Sequence, residues 1–318
     1  MIVVCGESLV DLVIDSSGGI TPRAGGGPYN AARTVSRLGQ SCIFLGRFGN
    51  DRFGRLLKTT LIEDGVQLAC PEPLEAPTTL AMAEISDGGD ASYHFYLTGT
   101  AASLVDEADV RRALNVLTAA PIGSRAVHVG TLGLVMEPIA TSVELLARES
   151  PEDALLMLDP NCRPAATRDP AAYRERLARL LTRADVVKVS EDDLAFMVPG
   201  ESADDAARSL LGHGPMAILL TRGSKPATAI TAAGSVEIPV PHVRVADTIG
   251  AGDSLGGAFV AWWMQHGLSR MQVADLRLLR DGLAFATAVA AMTCRRVGAD
   301  PPRLADLDAS ARSSWSAA

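Results

Sequence analysis

Five successive stretches decide the architecture: AVHVG at 126–130, IATSVELLARE at 139–149, ALLMLDPN at 154–161, AAYRERLARLLTRA at 171–184 and DVVKVS at 185–190. The first, third and fifth are short apolar runs, whereas the second and fourth carry apolar residues at helical spacing. Strands separated by helices of this length call for a largely parallel sheet covered on both faces.

The same alternation extends outward. IVVC at 2–5 and CIFLG at 42–46 read as strands, NAARTVSRLG at 30–39 and DRFGRLLKTTLIEDG at 51–65 as helices. Pro28 stands beside the start of the first helix and Gly39 at its end, positions those residues favour. DEADVRRALNVL and SADDAARSLLG add helices, MAILLTRG and PATAIT add strands, and two apolar helices follow residue 250. GGIT and RAGGGP, at 18–28, read as a glycine-rich loop, and the tail 308–318 as a frayed end. Residues 76–97 differ: PTTLAMAEIS and SYHFYLT alternate around Gly88–Gly89, as strands with one solvated face do. The expectation is one domain over 1–318, a three-layer α/β/α body with a small β-sheet lid from about 9–20 and 76–98.

Hydrophobic residues make up 47% and charged residues 21%, which supports a large core and excludes disorder or collagen. A net charge of -8 gives no footprint for nucleic acid or an anionic membrane. The five cysteines are widely spaced and form no Cys-x-x-Cys pair, so reduced thiols in a cytoplasmic protein are expected. The first residues reach Glu7 too early for a signal peptide, and LAFATAVAAM at 283–292 is too short to span a bilayer.

Chemistry concentrates in DTIGAGD, residues 247–253, directly before a helix. Gly250, Ala251 and Gly252 leave their N–H groups open to a single anion, to which the helix adds its positive end. Asp253 beside that anion suits a base that takes a proton from an attacking hydroxyl. A plain helix N-cap is the other reading. Near the other end, GGGPYN at 25–30 combines close backbone approach at Gly25, Gly26 and Gly27 with Asn30. Asp11 and Asn30 are the side chains to grip vicinal hydroxyls, since one accepts and the other both accepts and donates. Asp11 can equally be a solvated strand residue, and Asn30 a helix cap.

Together and in this order, these motifs resemble the signatures of the ribokinase-like (PfkB) family of carbohydrate and nucleoside kinases. The resemblance implies Asp253 as base, Gly250 to Gly252 as anion hole, and Asp11, Gly25 to Gly27 and Asn30 at the sugar. DPNCRP at 159–164 is similar to a fructokinase stretch, which brings Asn161 to the sugar and Arg163 to the sugar or the phosphoryl group. KVSEDDL at 188–194 stands where the family has Asn-x-x-Glu, with Ser190 and Asp193 substituted. Ser190 is then expected near the nucleotide, and Asp193 or Glu191 near magnesium through water, unless the pair simply caps a helix. LLTRGSKP resembles the nucleotide loop, implying Thr221, Gly223 and Lys225, although Pro226 replaces its last glycine and Lys225 can equally face solvent. FATAVAAM resembles the adenine-pocket helix, implying Thr287. Asp247 matches an aspartate beside a monovalent cation, so potassium joins ATP and magnesium as an expected cofactor.

Among relatives, GGGPYN and DPNCRP look most like fructokinases and 2-keto-3-deoxygluconate kinases. In FYLTG, Leu97 stands where arginine is common, which favours a neutral sugar. Tyr96, with His94 and Tyr29, borders the pocket or packs in the core or on a strand face. A homodimer through the lid is expected, as in many relatives. The G-x-G-x-x-G and G-x-x-x-x-G-K-[ST] patterns of dehydrogenases and P-loop kinases are missing from the expected places. A sugar-binding protein without activity would have no need of Asp253.

Overall fold

The computed structural model describes residues 1–14, 18–85 and 91–316. The first part of the chain forms β1 (Ile2–Cys5), β2 (Leu9–Ile14), β3 (Ile20–Gly25), α1 (Gly27–Arg37), β4 (Cys42–Leu45), α2 (Arg52–Glu63) and β5 (Gln67–Leu68). Next come β6 (Leu80–Ile85), β7 (Ala91–Tyr96), α3 (Glu107–Ala119), β8 (Ala126–Gly130), α4 (Ile139–Glu149), β9 (Leu155–Asp159) and α5 (Pro170–Leu181). Then follow β10 (Val186–Ser190), α6 (Glu191–Met197), α7 (Ala203–Leu211), β11 (Ala217–Arg222), β12 (Lys225–Thr231) and β13 (Gly234–Ile238). Three helices end the described chain: α8 (Ala251–Gln265), α9 (Leu276–Thr293) and α10 (Ala309–Ser316).

The main sheet runs β13-β12-β11-β10-β9-β8-β1-β4-β5, with β1 parallel to both β4 and β8. Parallel pairing continues from β8 to β11, and β12 alone is reversed, pairing antiparallel with both β11 and β13. Alternate strand residues face opposite sides. Val3, Val127 and Val187 therefore join α3, α4 and α5 in one core, while Val4, Met157 and Leu219 join α1, α8 and α9 in the other. That is the expected three-layer body. From β1 the chain first moves to β4 and β5, then crosses back to β8 on the other side. This reversal opens a crevice at the carboxyl ends of β1 and β8, where open α/β sheets receive ligands.

A second sheet, ordered β3-β2-β6-β7, forms the smaller layer. It corrects the glycine-rich loop expected at 18–28, because residues 20–25 pair antiparallel with β2 from Leu9↔Gly25 to Ile14↔Ile20. Pro22 hid this strand, yet β3 is an edge strand, where a missing N–H can face away from the ladder. The Gly88–Gly89 turn lies outside the described residues. The tail is also corrected: α10 runs to Ser316, with Trp315 buried and its ring 5.3 Å from that of Phe285. All five cysteines are free thiols. Among the described residues, no helix is long and apolar enough to cross a membrane.

Candidate active site

The loop before α8 turns through Gly250 in the left-handed region at φ 78°, which glycine adopts without the strain a side chain brings. A Cβ there would lie 2.5 Å from that of Ala299, so the contact also demands glycine. The first helical turn begins here with N–H groups that have no partner within the helix, the Ala251 N–H lying 3.3 Å from the Thr248 carbonyl, and Asp253 sits within that turn. Its buried carboxylate accepts from Asn30 Nδ2 at 2.9 Å and from Asn161 Nδ2 at 3.2 Å. Asn30 reaches it because α1 packs closely on α8. At Gly257 a Cβ would stand 2.7 Å from the Ala31 carbonyl oxygen.

Asp253 opens into a cavity of about 520 Å³ at the crevice, roofed by the second sheet. Asp11, Asn30, Asn161 and Arg163 line its polar side, together with Gly26, Gly27 and Gly250. Leu9, Val13, Ala81, Ala83 and Phe95 form an apolar roof. Asp11 lies over Gly25, where a Cβ would come within 2.3 Å of its Oδ2. Burial pushes Asp11 up to about 6, helped by Asp253 and opposed by Arg163 and Arg23. Arg163 donates through one nitrogen to Asn161 Oδ1 at 2.7 Å and to the Asn161 carbonyl at 3.0 Å. Asn161 itself holds φ 40°, and neighbouring Thr131 holds φ 55°, which is strained for a β-branched residue.

A second cavity, of about 350 Å³ and mostly apolar, lies between the end of β11, segment 240–248 and α9. Thr221, Gly223, Val243, Leu255, Thr287 and Ala290 line it. Thr248 and Gly252 belong to both cavities, which therefore meet at the amino end of α8.

Several expected site residues stand elsewhere. Tyr96 is 55% exposed, while the next residue, Phe95, lines the roof. Strand alternation turns the two to opposite faces, so Tyr96 is not brought to the cavity. Tyr29 is fully buried in the core with its hydroxyl donating to the Leu57 carbonyl, and His94 is exposed. Lys225 is exposed at the start of β12, outside the nucleotide-sized cavity, which Arg222 and Ser224 line instead. Ser190 caps α6 rather than lining that cavity. Both oxygens of Asp193 are taken: Oδ1 accepts from the Cys162 N–H at 2.6 Å, Oδ2 from the Ser190 N–H at 2.8 Å. Glu191 pairs with Arg222 at 3.3 Å. Asp247 accepts the Ile249 and Gly298 N–H groups, with the Arg23 guanidinium 3.9 Å away. Among the described residues no group of three or more His, Cys, Asp or Glu side chains could hold a metal ion.

Three further residues belong to the site although the motifs do not reveal them. Glu7 is fully buried and accepts the Gly27 N–H at 2.8 Å and the Gly133 N–H at 2.9 Å, tying α1 to the loop after β8. Burial pushes its carboxyl up to about 8, against the pull of those donors. A charge directly after an apolar strand was its available signal. Thr131 accepts from Asn161 Nδ2 at 3.3 Å, and nothing in the sequence marks it. Lys188, a lysine inside the apolar run DVVKVS, pairs with Asp159 at 3.2 Å beneath α8.

Residues 1–305 match the model of the pfkB family carbohydrate kinases. A fructokinase of Rhizobium leguminosarum bv. trifolii is 31% identical over 291 residues, 89% of this chain and 86% of that protein. Probable fructokinase-5 of Arabidopsis thaliana is 32% identical over 313 residues, 95% of this chain and 93% of that one. The structure of fructokinase with bound ATP from Xylella fastidiosa superposes with a TM-score of 0.80 at 26% identity, covering 94% of this chain and 93% of that chain. These likenesses support an ATP-dependent sugar kinase, and the chain belongs to the pfkB family of carbohydrate kinases.

Proposed function

We propose that this chain is a fructokinase, transferring the γ-phosphoryl group of magnesium ATP to a primary hydroxyl of the sugar. The observation that carries the reading is the sharing of Gly252 by both cavities, with Asp253 next in sequence. Donor in the apolar cavity and acceptor in the polar one would meet at the N–H groups of Gly250, Ala251 and Gly252. As the sugar oxygen bonds to phosphorus, the bond from phosphorus to the bridging oxygen breaks and ADP leaves. Asp253 takes the hydroxyl proton, and the N–H groups hold the phosphoryl oxygens. Asp11, Asn30 and Asn161 orient the sugar hydroxyls, and closure of the lid over the sugar excludes water.

The charge of the cavity supports a neutral acceptor. Asp11 and Asp253 line it against Arg163, a surplus of one negative charge once Glu7, pushed up to about 8, is neutral, and that surplus disfavours an anionic sugar. Arg163 supports the second reading, an acidic sugar such as 2-keto-3-deoxygluconate, whose carboxylate would pair with its remaining N–H groups. Magnesium enters with ATP as part of the substrate, since Asp193 and Glu191 have protein partners and are left only contacts through water. Potassium at Asp247 would share a carboxylate that two N–H groups already serve, with Arg23 3.9 Å away, and no step depends on it. Exposed Ile20 and Tyr96 on the lid strands support a homodimer through the lid, which a monomeric mass across a concentration series would remove.

ATP-coupled assays on fructose, ribose, 2-keto-3-deoxygluconate, inosine and adenosine test the substrate. Highest kcat/KM on fructose is expected, and activity confined to a nucleoside overturns the assignment. Asp253→Asn is expected to abolish turnover while ATP still binds. Near-normal turnover by that variant overturns the mechanism.

A further inference from the structure

The floor below the shared glycine is charged. Lys188 lies on β10 between Val187 and Val189, with only 4% of its side chain exposed. The register of β9 and β10 pairs Val187 with Leu158, which brings Lys188 alongside Asp159. Nζ stands 3.2 Å from the Asp159 carboxylate, whose side chain is 3% exposed. A Cβ added at Gly252 would come within 2.9 Å of the same Nζ. The ammonium thus abuts the one turn of backbone that both cavities share, while lining neither cavity itself.

A buried lysine–aspartate pair is a costly way to fill a core, since apolar residues of similar size are often as stable. The neighbourhood supplies a reason. Asp253 stands in the first turn of α8 and lines the polar cavity, so a transferring phosphoryl group would meet a carboxylate as well as N–H groups. Burial disfavours the charge on Lys188, but Asp159, Asp193 and Asp253 outweigh it and hold the ammonium above the usual lysine range. His128 on β8 packs under the same helix, where a Cβ at Gly256 would be 3.1 Å from its Cε1. Burial and Lys188 lower His128 to about 4, so it remains neutral and adds no second cation.

We propose that Lys188 is a positioning residue for phosphoryl transfer, its ammonium held by Asp159 so that positive charge acts through the Gly252 turn on the group in flight. The inference rests on the reading of Gly250 to Asp253 as the place of transfer. Charge that acts on the transition state should govern kcat more than substrate binding.

The test compares Lys188→Met, Asp159→Asn and the double variant Asp159→Asn/Lys188→Met. Turnover is measured on whichever of fructose, ribose and 2-keto-3-deoxygluconate the unmodified protein phosphorylates fastest. Lys188→Met is expected to lower kcat roughly 10- to 100-fold, less than loss of a direct oxyanion donor, with KM for ATP and sugar within about threefold. Asp159→Asn keeps the cation and one acceptor oxygen for it, so kcat is expected to fall less than in Lys188→Met, even if the variant melts lower; a fall as large as that of Lys188→Met would count against the cation as the acting group. The double variant leaves no orphaned charge, so it stays folded where Lys188→Met alone does not, and should show the same loss of kcat. A folded double variant with kcat within about twofold of the unmodified protein overturns the proposal, as does a Lys188→Met effect confined to KM. An unmodified protein inert on all three sugars overturns the underlying reading instead.

Discussion

Asn30 donates its amide to the Asp253 carboxylate across 2.9 Å, while its own Oδ1, equally buried, has no partner. An unsatisfied buried acceptor costs on the order of 1–3 kcal/mol, which a sugar hydroxyl donating to Oδ1 would recover. One side chain would then link acceptor and base. Asn30→Ala is expected to lower kcat/KM for the sugar about 10- to 100-fold, with both a higher sugar KM and a lower kcat. Steady-state kinetics at saturating ATP check this, and an unchanged sugar KM would remove Asn30 from the binding set.

Asp11 gives a pH dependence with a definite sign. Its carboxyl is pushed up to about 6 in the folded chain, and only the ionised form accepts two hydroxyls fully. The kcat/KM for sugar should therefore fall as pH drops below about 6, and Asp11→Asn should flatten that limb while lowering kcat/KM above it. Stability moves the other way. A raised carboxyl pKa favours the fold at low pH and is a liability once pH rises through about 6. Asp11→Asn should accordingly melt no lower than the unmodified protein at pH 8.

Gly250 combines a left-handed φ of 78° with the 2.5 Å approach that a Cβ would make to Ala299. Gly250→Ala should lose at least about 1–3 kcal/mol of stability, since strain and overlap add. Urea denaturation measures the loss, and kcat should fall as the N–H groups of the turn shift.

The layers of the fold were legible because apolar runs and amphipathic helices alternate so regularly between 126 and 222. Glycine and carboxylate motifs likewise marked Asp11, Asn30 and Asp253, because backbone approach and proton chemistry demand particular residue types. Tyr96 was misread for a simpler reason: period 2 says that Phe95 and Tyr96 face opposite ways, without saying which faces the cavity. Glu7, Thr131 and Lys188 were missed because their roles arise from neighbours distant in sequence, as when Glu7 joins Gly27 to Gly133. Ser190 and Asp193 do form the local cap that their spacing allowed.

The apolar cavity admits a separable test. Ala290 lines it without lining the sugar cavity. Ala290→Phe should raise the KM for ATP at least about tenfold by filling the space, while equilibrium binding of the sugar stays within about twofold. Isothermal titration with each ligand alone distinguishes this from a general loss of folding.

Asp64 anchors the site from behind. Its side chain, 2% exposed, pairs with Arg33 at 2.7 Å, Arg37 at 2.8 Å and Arg303 at 2.9 Å. Arg33 also donates to the Ala299 carbonyl at 2.8 Å, and Ala299 packs on Gly250. Asp64→Ala leaves Arg33 and Arg37 with the half-exposed Asp300 as their remaining counter-charge and should cost up to about 3–5 kcal/mol by urea denaturation.

The order of the elements along the chain has a consequence during synthesis. All thirteen strands among the described residues end by Ile238, before Asp247 opens the loop to α8. A nascent chain on the ribosome can therefore complete both sheets while it still has neither the N–H turn nor the carboxylate that meets Asn30 and Asn161. Until α8 docks against α1, such an intermediate has Asp11 and Asn30 in place but lacks Asp253 and the N–H turn, which on the proposed reading are what acts on ATP. On that reading, copies that stop short of α8 would spend no ATP.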